Sequence, residues 1–125
     1  MTIFGLMGFI ARHPVNRGRG AAGIARFVRW QLRSRLNPGR HRCDWVGGTK
    51  LWVRSGEHGL TGNLYTGLFE FDDMLFVLHF LREGDFFVDV GSNSGAFTIL
   101  ASGVRRARSV AVEPSSFIPL GLTMK

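Results

Sequence analysis

The spacing of apolar residues along the chain predicts the order of its helices and strands. In residues 25–36, apolar side chains recur at helical intervals among four arginines, which predicts a basic amphipathic helix that ends at Pro38 and Gly39. Residues 43–46 and 51–54 are β-rich and flank the turn at residues 47–50, so they predict a hairpin across which Trp45 and Trp52 can pair.

The second half of the chain has the pattern helix, strand, helix, strand. Residues 72–83 predict a helix with an acidic start and a stop at Gly84. Residues 86–88 are apolar on both faces, as in a buried parallel strand, and Asp89 lies near the carboxyl end of that strand. The residues after Gly95 predict a crossover helix, and residues 109–112 predict a second strand. The expected fold class is therefore α/β.

The first of these strands runs directly into a DxGxNxG turn, because residues 87–95 read FVDVGSNSG. Gly91 and Gly95 permit positive φ and a close approach of the backbone to a ligand. Ligands of open α/β sheets bind in the crevice where a strand passes into the following helix. The turn is therefore a candidate cofactor site.

An acidic residue ends the second predicted strand. Glu113 lies 24 positions after Asp89. In nucleotide-binding βαβ units, an acid about 20 positions beyond the glycine turn accepts hydrogen bonds from the ribose hydroxyls. Pro114 follows and cannot extend a central strand, so Glu113 is expected at the mouth of the site.

With these residues in place, residues 63–114 resemble the start of the FkbM family of S-adenosylmethionine-dependent methyltransferases. The resemblance rests on FVDVGSNSGAFTILA at residues 87–101 and on AVEP at residues 111–114. The stretch YTGLFEFDDMLFVLHFLREGD at residues 65–85 resembles more weakly the helix that precedes the family's glycine turn. The resemblance implies the Rossmann-like sheet of a class I methyltransferase, and transfer of a methyl group to a hydroxyl of a sugar, polyketide or similar metabolite.

The resemblance also implies which residues hold S-adenosylmethionine. Asp89 and Gly91 match the acid at the strand end and the first glycine of the turn. The implied cofactor-binding residues are Asp89, Gly91, Ser92, Asn93, Gly95 and Glu113. The N–H groups of the turn are expected to hold the methionine end of the cofactor, and Glu113 its ribose. No residue is assigned as a catalytic base, and Tyr65 and Glu70 precede the predicted helix in a segment that could fold over the cofactor mouth.

Two other interpretations of the turn stay open at this point. A nicotinamide or flavin enzyme would carry GxGxxG, but Asn93 and Ala96 stand where its second and third glycines belong. A glycine turn in an α/β protein without any cofactor is the second alternative.

Charge divides the chain into two predicted regions. Residues 1–54 hold eleven Lys or Arg against the single acid Asp44, whereas residues 55–125 hold five against eight, for a net charge of +7. We expect a basic region at residues 1–62 and the front part of a methyltransferase domain at residues 63–125. The basic region could contact an anionic membrane surface or another polyanion, and nucleic acid is not the expected partner. A solvated helix packed on a domain edge, or a cleavable leader-like tail, is the favoured interpretation of this helix.

The remaining expectations concern completeness, metals and location. A class I methyltransferase needs about seven strands, so the chain is interpreted as truncated. Residues 115–125 would only begin a second crossover helix from Ser115 or Ser116, and catalysis by this chain alone is not expected. Association with another copy or with a missing part would cover its open sheet. The single cysteine, Cys43, and four scattered histidines indicate neither a disulfide nor a metal site, and a cytoplasmic location is expected.

Overall fold

A computed structural model describes residues 2–114 as a mixed α/β structure. The helices are α1 (Ile3–Arg12), α2 (Gly20–Leu36), α3 (His58–Thr66), α4 (Phe71–Phe80) and α5 (Ala96–Ile99), the last of which continues as one π-helical turn at Leu100–Val104. The strands are β1 (Arg40–Asp44), β2 (Lys50–Arg54), β3 (Phe86–Val90) and β4 (Arg108–Val112). The α/β class is confirmed, and the helix expected from Ser115 or Ser116 lies outside the described residues.

The described residues form two compact units. The first contains residues 2–41 and 53–71, and the second contains residues 42–52 and 72–114. The hairpin of β1 and β2 therefore gives its base to the first unit and its tip to the second. The predicted boundary at residue 62 stays a prediction.

The first unit is built on a close contact between α1 and α2. A Cβ placed on Gly23 of α2 would come within 2.8 Å of Ile10 Cγ2 and 2.5 Å of Asn16 Nδ2, so glycine is what lets the two helices approach. Asn16 is buried and donates from Nδ2 to the carbonyls of Ile10 (2.8 Å) and Tyr65 (3.1 Å). Arg26 donates to Asn16 Oδ1 at 2.6 Å, which completes a polar network that ties both helices to α3.

The basic helix starts earlier than predicted. It was expected over residues 25–36, and α2 begins at Gly20. Gly20 lies against Ala11, where a Cβ would be 3.1 Å from the Ala11 carbonyl oxygen. Glycine is a poor helix former by propensity, and here tertiary packing decides the start of the helix.

The strands of the hairpin have other bounds than predicted. β1 begins at Arg40 and ends at Asp44, and the Trp45 N–H donates to the Thr49 carbonyl at 2.8 Å to close the turn. Gly47 and Gly48 have φ values of 62° and 79°, which explains the glycine pair. The proposed pairing of Trp45 with Trp52 stays a prediction.

The second unit contains the predicted parallel pair. β3 and β4 run parallel with Val88 opposite Val110, and α5 with its π turn is the crossover between them. On one face, Phe87 packs against Leu81, Ala101 and Ala107. On the other face the side chains are exposed, namely Phe86, Val88, Val90, Val110 and Val112. Within residues 2–114 no helix covers this second face, so the burial on both faces that is typical of a parallel strand is not seen there. An open apolar face is what we expect of a sheet with only two strands.

The predicted lead-in helix is shorter than expected, since α4 ends at Phe80 rather than at residue 83. The backbone N–H of Arg82 donates to Asp85 Oδ2 at 2.8 Å, and this side-chain bond competes with helical continuation. Within residues 2–114, no helix has both the length and the apolar character needed to cross a bilayer.

Replacing Gly23 with Ala should destabilise the first unit. The added methyl would displace Asn16 from its buried hydrogen bonds, and we expect a loss of about 2 kcal/mol in the free energy of unfolding. Gly8→Ala in α1 is the matched control, because its Cβ would meet nothing within 4 Å. Chemical denaturation should show Gly8→Ala unchanged or slightly more stable. Equal effects of the two substitutions would contradict the close-approach explanation.

The stability of the first unit should fall in mild acid through His13. Its imidazole is 4% exposed and lies between the rings of Phe9 and Phe71, and Nδ1 accepts the Val15 N–H at 3.4 Å. Burial lowers the pKa of His13, against a smaller opposite effect of a hydrogen bond with the Phe69 backbone. Protonation therefore favours the unfolded chain. The contribution is complete above the unfolded pKa of about 6.5 and is lost as the pH falls towards the folded value.

Denaturation at pH 8 and pH 5.5 measures this effect. The wild type should lose more stability over that interval than His13→Gln does, whereas His58→Gln, at an exposed position of the same unit, should behave like the wild type. A pH dependence that survives in His13→Gln would assign it to another group.

Candidate functional site

The candidate site is formed where β3 and β4 end side by side. Val90 is paired with Val112, so the next residues, Gly91 and Glu113, leave the sheet at the same edge. This is the carboxyl edge of a parallel pair, where α/β proteins bind ligands. The register thus brings the glycine turn and the strand-end acid together, as the sequence predicts.

The turn has the backbone conformation that its residues permit. Gly91 and Gly95 have φ values of 75° and 78°, and Asn93 has a φ of 47°. Asparagine tolerates the left-handed region better than most other residues. Ala96, which follows the second glycine, begins α5.

Most amides of the turn donate within the protein. The N–H groups of Gly91 and Ser92 both donate to the Val112 carbonyl, at 2.8 and 3.2 Å, and the Gly95 N–H donates to the Ser92 carbonyl at 2.7 Å. The Asn93 N–H donates to Glu113 Oε2 at 2.6 Å. The turn is therefore fixed to the end of β4 by three hydrogen bonds, one of them to the candidate ribose-binding acid.

Asp89 anchors the crossover helix. Its Oδ2 accepts from the Thr98 hydroxyl at 2.5 Å and from the Thr98 backbone N–H at 3.1 Å. Both residues are buried, so this charge-assisted pair fixes the direction in which α5 leaves the turn. Thr98 was not anticipated from the sequence. Its position nine residues after Asp89, in the first turn of the predicted helix, is the sequence signal that could have identified it.

Ser92 contributes an unsatisfied polar group. The residue is 7% exposed, and its Oγ forms no hydrogen bond with any described residue. A buried hydroxyl without a partner costs free energy, and a bound ligand or ordered water can supply that partner. The site thus offers one buried hydroxyl beside the glycine turn.

A cavity of about 810 Å³ lies next to this anchor in the same unit. Thr98 and Ser102 of the crossover helix, Thr49 of the hairpin turn and Ser109 of β4 are among the residues that line it. The hydroxyls of Ser102 and Ser109 are 2.6 Å apart and hydrogen bonded. The turn at residues 91–95 is not among the residues that line this cavity, so the cavity is distinct from the candidate site at the turn.

Tyr65 belongs to the core of the first unit. Its ring packs edge-on against Phe27 at 5.1 Å between ring centroids, and its hydroxyl accepts from Gln31 at 3.5 Å. Burial raises the pKa of Tyr65. These contacts give Tyr65 a packing role, and Glu70 is exposed in the segment before α4. Within residues 2–114, no group of three or more His, Cys, Asp or Glu residues is placed to hold a metal ion.

We compared the chain with known proteins, and no family model, curated protein or solved structure matches it.

Replacing Thr98 with Val should destabilise the second unit. The isosteric change removes the hydroxyl bond and leaves Asp89 buried with only the backbone N–H, so we expect a loss of about 1–3 kcal/mol. Thr98→Ser keeps the hydroxyl and should retain most of the stability. Thermal unfolding of the two variants measures the difference in stability. If the Ser variant is no more stable than the Val variant, packing of the Thr98 methyl group is the important contact, and the bond to Asp89 is not.

Proposed function

We propose that this chain carries the front part of an S-adenosylmethionine-dependent methyltransferase domain. The observation that carries the proposal is the 2.6 Å hydrogen bond from the Asn93 N–H to Glu113. It joins the glycine turn after one parallel strand to the acid that ends the next, and these two features bind the nucleoside part of a cofactor in βαβ units. The FkbM resemblance of residues 87–101 and 111–114 supports the same assignment.

The residues of the turn fit a cofactor on two further observations. A Cβ at Gly91 would meet nothing within 4 Å, and the residue is exposed, so the backbone is open to a ligand there. The hydroxyl of Ser92 is buried and has no described partner. Among the described residues, the amides of Ser94 and Ala96 have no acceptor, whereas the other amides of the turn donate within the protein.

Each residue then has a distinct part in binding. Glu113 accepts hydrogen bonds from the ribose hydroxyls while it fixes the turn through Asn93. Asp89 holds the crossover helix through Thr98, and Ser92 with the amides of Ser94 and Ala96 binds polar groups of the methionine end. S-adenosylmethionine, when bound, supplies a methyl group on a sulfonium for transfer to an acceptor hydroxyl. The contribution of these residues is to orient the methyl group, since methyl transfer depends on alignment and proximity.

The same contacts favour this cofactor over a dinucleotide. The second and third glycines of GxGxxG let the backbone approach a pyrophosphate and let the helix pack closely on the strand. Here Asn93 stands at the second of these positions with its N–H already bonded to Glu113, and Ala96 at the third is buried. The turn therefore has less room for a pyrophosphate than a dinucleotide site has.

The binding experiment uses S-adenosylhomocysteine and NAD as ligands in calorimetry. The wild type should bind S-adenosylhomocysteine more tightly than NAD. Glu113→Gln keeps an oxygen acceptor for the Asn93 N–H but loses the charge, so binding of S-adenosylhomocysteine should weaken by about 10-fold or more. Glu83→Gln is the matched control, because Glu83 is exposed in the same unit and its removal should leave affinity unchanged.

Two outcomes would contradict the proposal. Preferential binding of NAD by the wild type would assign the turn to a dinucleotide. Binding of neither ligand, with a folded protein by circular dichroism, would assign it to a glycine turn without a cofactor.

A further inference from the structure

One surface of the first unit has no partner in the described structure. Three apolar side chains of α2 are exposed at intervals of four residues, namely Val28 at 44%, Leu32 at 58% and Leu36 at 84%. This spacing places them in one stripe along the helix. We call this stripe the α2 ridge. The opposite stripe of the same helix contains Gly23, Phe27, Trp30 and Ser34 and is buried. The helix is thus apolar on two faces, of which the core of the unit uses only one.

Arginines lie on both sides of the α2 ridge. Arg29 and Arg35 are three residues before and after Leu32, which places them about 60° to either side of it around the helix. Arg33 lies one helical turn after Arg29, on the same side of the ridge. All three side chains are exposed and form no ion pair with the described residues. The sequence of α2 contains no acidic residue. The surface is therefore an apolar stripe inside a frame of unpaired positive charge.

The wider unit has the same sign of charge. Residues 1–41 and 53–71 contain nine arginines and only two acids, Glu57 and Glu70. Glu57 is paired with Arg40 at 3.0 Å. The unit that carries the α2 ridge therefore has a net positive charge.

We propose that α2 lies on an anionic lipid bilayer, with the α2 ridge inserted among the acyl chains and with Arg29, Arg33 and Arg35 on the headgroups. A helix bound in this way has apolar side chains on the lipid side and basic residues at the level of the phosphates. Nucleic acid would use the arginines but would leave Leu32 and Leu36 without a role, because phosphate contacts need no apolar stripe. This proposal uses residues of the first unit only, and it does not depend on the cofactor site proposed for the second unit.

The experiment is flotation of the full chain with lipid vesicles, which separates bound protein from aggregates. Vesicles of phosphatidylcholine with phosphatidylglycerol should carry the protein to the top of the gradient, and vesicles of phosphatidylcholine alone should not. Binding should weaken as salt is raised, because the headgroup attraction is screened.

Two sets of variants separate the apolar and the basic contributions. Leu32→Gln with Leu36→Gln should reduce the partition coefficient by about 10-fold or more, since two exposed leucines lose their insertion. Replacing Arg29, Arg33 and Arg35 with Gln should reduce it on the order of 100-fold, at about 5-fold for each arginine near the surface.

Matched controls carry the same changes outside the α2 ridge. Gln at Arg42, Arg82 and Arg108 removes the same charge from the second unit, and Val88→Gln with Val110→Gln removes two exposed apolar side chains there. The partition coefficients of both controls should lie within about twofold of the wild-type value. A twofold change is smaller than the roughly 5-fold effect expected for the loss of one arginine at the headgroups. The single variant Leu36→Gln, at the most exposed position, keeps the test valid if the double variant fails to fold.

Three results would overturn the proposal. They are equal binding to phosphatidylcholine vesicles, equal losses in the controls, and no binding to either vesicle. Binding of an RNA or DNA oligonucleotide that is unaffected by the leucine substitutions, without vesicle binding, would identify the arginines as a nucleic-acid surface instead.

Discussion

The candidate site depends on the parallel register of β3 and β4. With Val90 opposite Val112, the last paired residues of the two strands are level, so Gly91 and Glu113 leave the sheet together. A shift by one residue would turn Glu113 to the other face of the sheet and break its bond with the Asn93 N–H. The carbonyl of Val112 strengthens this register, because it accepts from two consecutive amides of the turn. The strand pairing and the site geometry are thus one constraint.

One face of this sheet is covered by packed side chains, and the other face is exposed. A parallel strand is normally covered on both sides, and β3 has apolar residues on both. Phe87 is covered by Leu81, Ala101 and Ala107, whereas Phe86 on the other face is 61% exposed. The apolar side chains on the second face of β3 are suited to packing under another layer. The described residues contain no such layer.

The elements around the glycine turn were predictable because each has a strong local signal. The apolar run of β3, the positive φ at Gly91 and the spacing to Glu113 follow from the sequence alone. The use of the turn's amides within the protein was not predictable, since it depends on where the Val112 carbonyl lies. The early start of α2 was missed for a similar reason, because a Gly-Ala-Ala segment has little apolar periodicity and only contact with α1 makes it helical. The predicted methyltransferase assignment and domain boundary stay predictions.

The acids at the candidate site and the arginines beside the α2 ridge lie in different units of the chain. The acids that fix the turn and the crossover helix, Glu113 and Asp89, are in the second unit, whereas nine of the sixteen Lys and Arg residues are in the first. The groups that the turn offers to the proposed cofactor are the amides of Ser94 and Ala96 and the buried Ser92 hydroxyl, all of them uncharged. Arg29, Arg33 and Arg35 of α2 are long, exposed and outside any ion pair among the described residues, which suits a diffuse anionic surface better than a small ligand. The residues behind the proposed cofactor site and those behind the proposed lipid contact thus belong to different units of the chain.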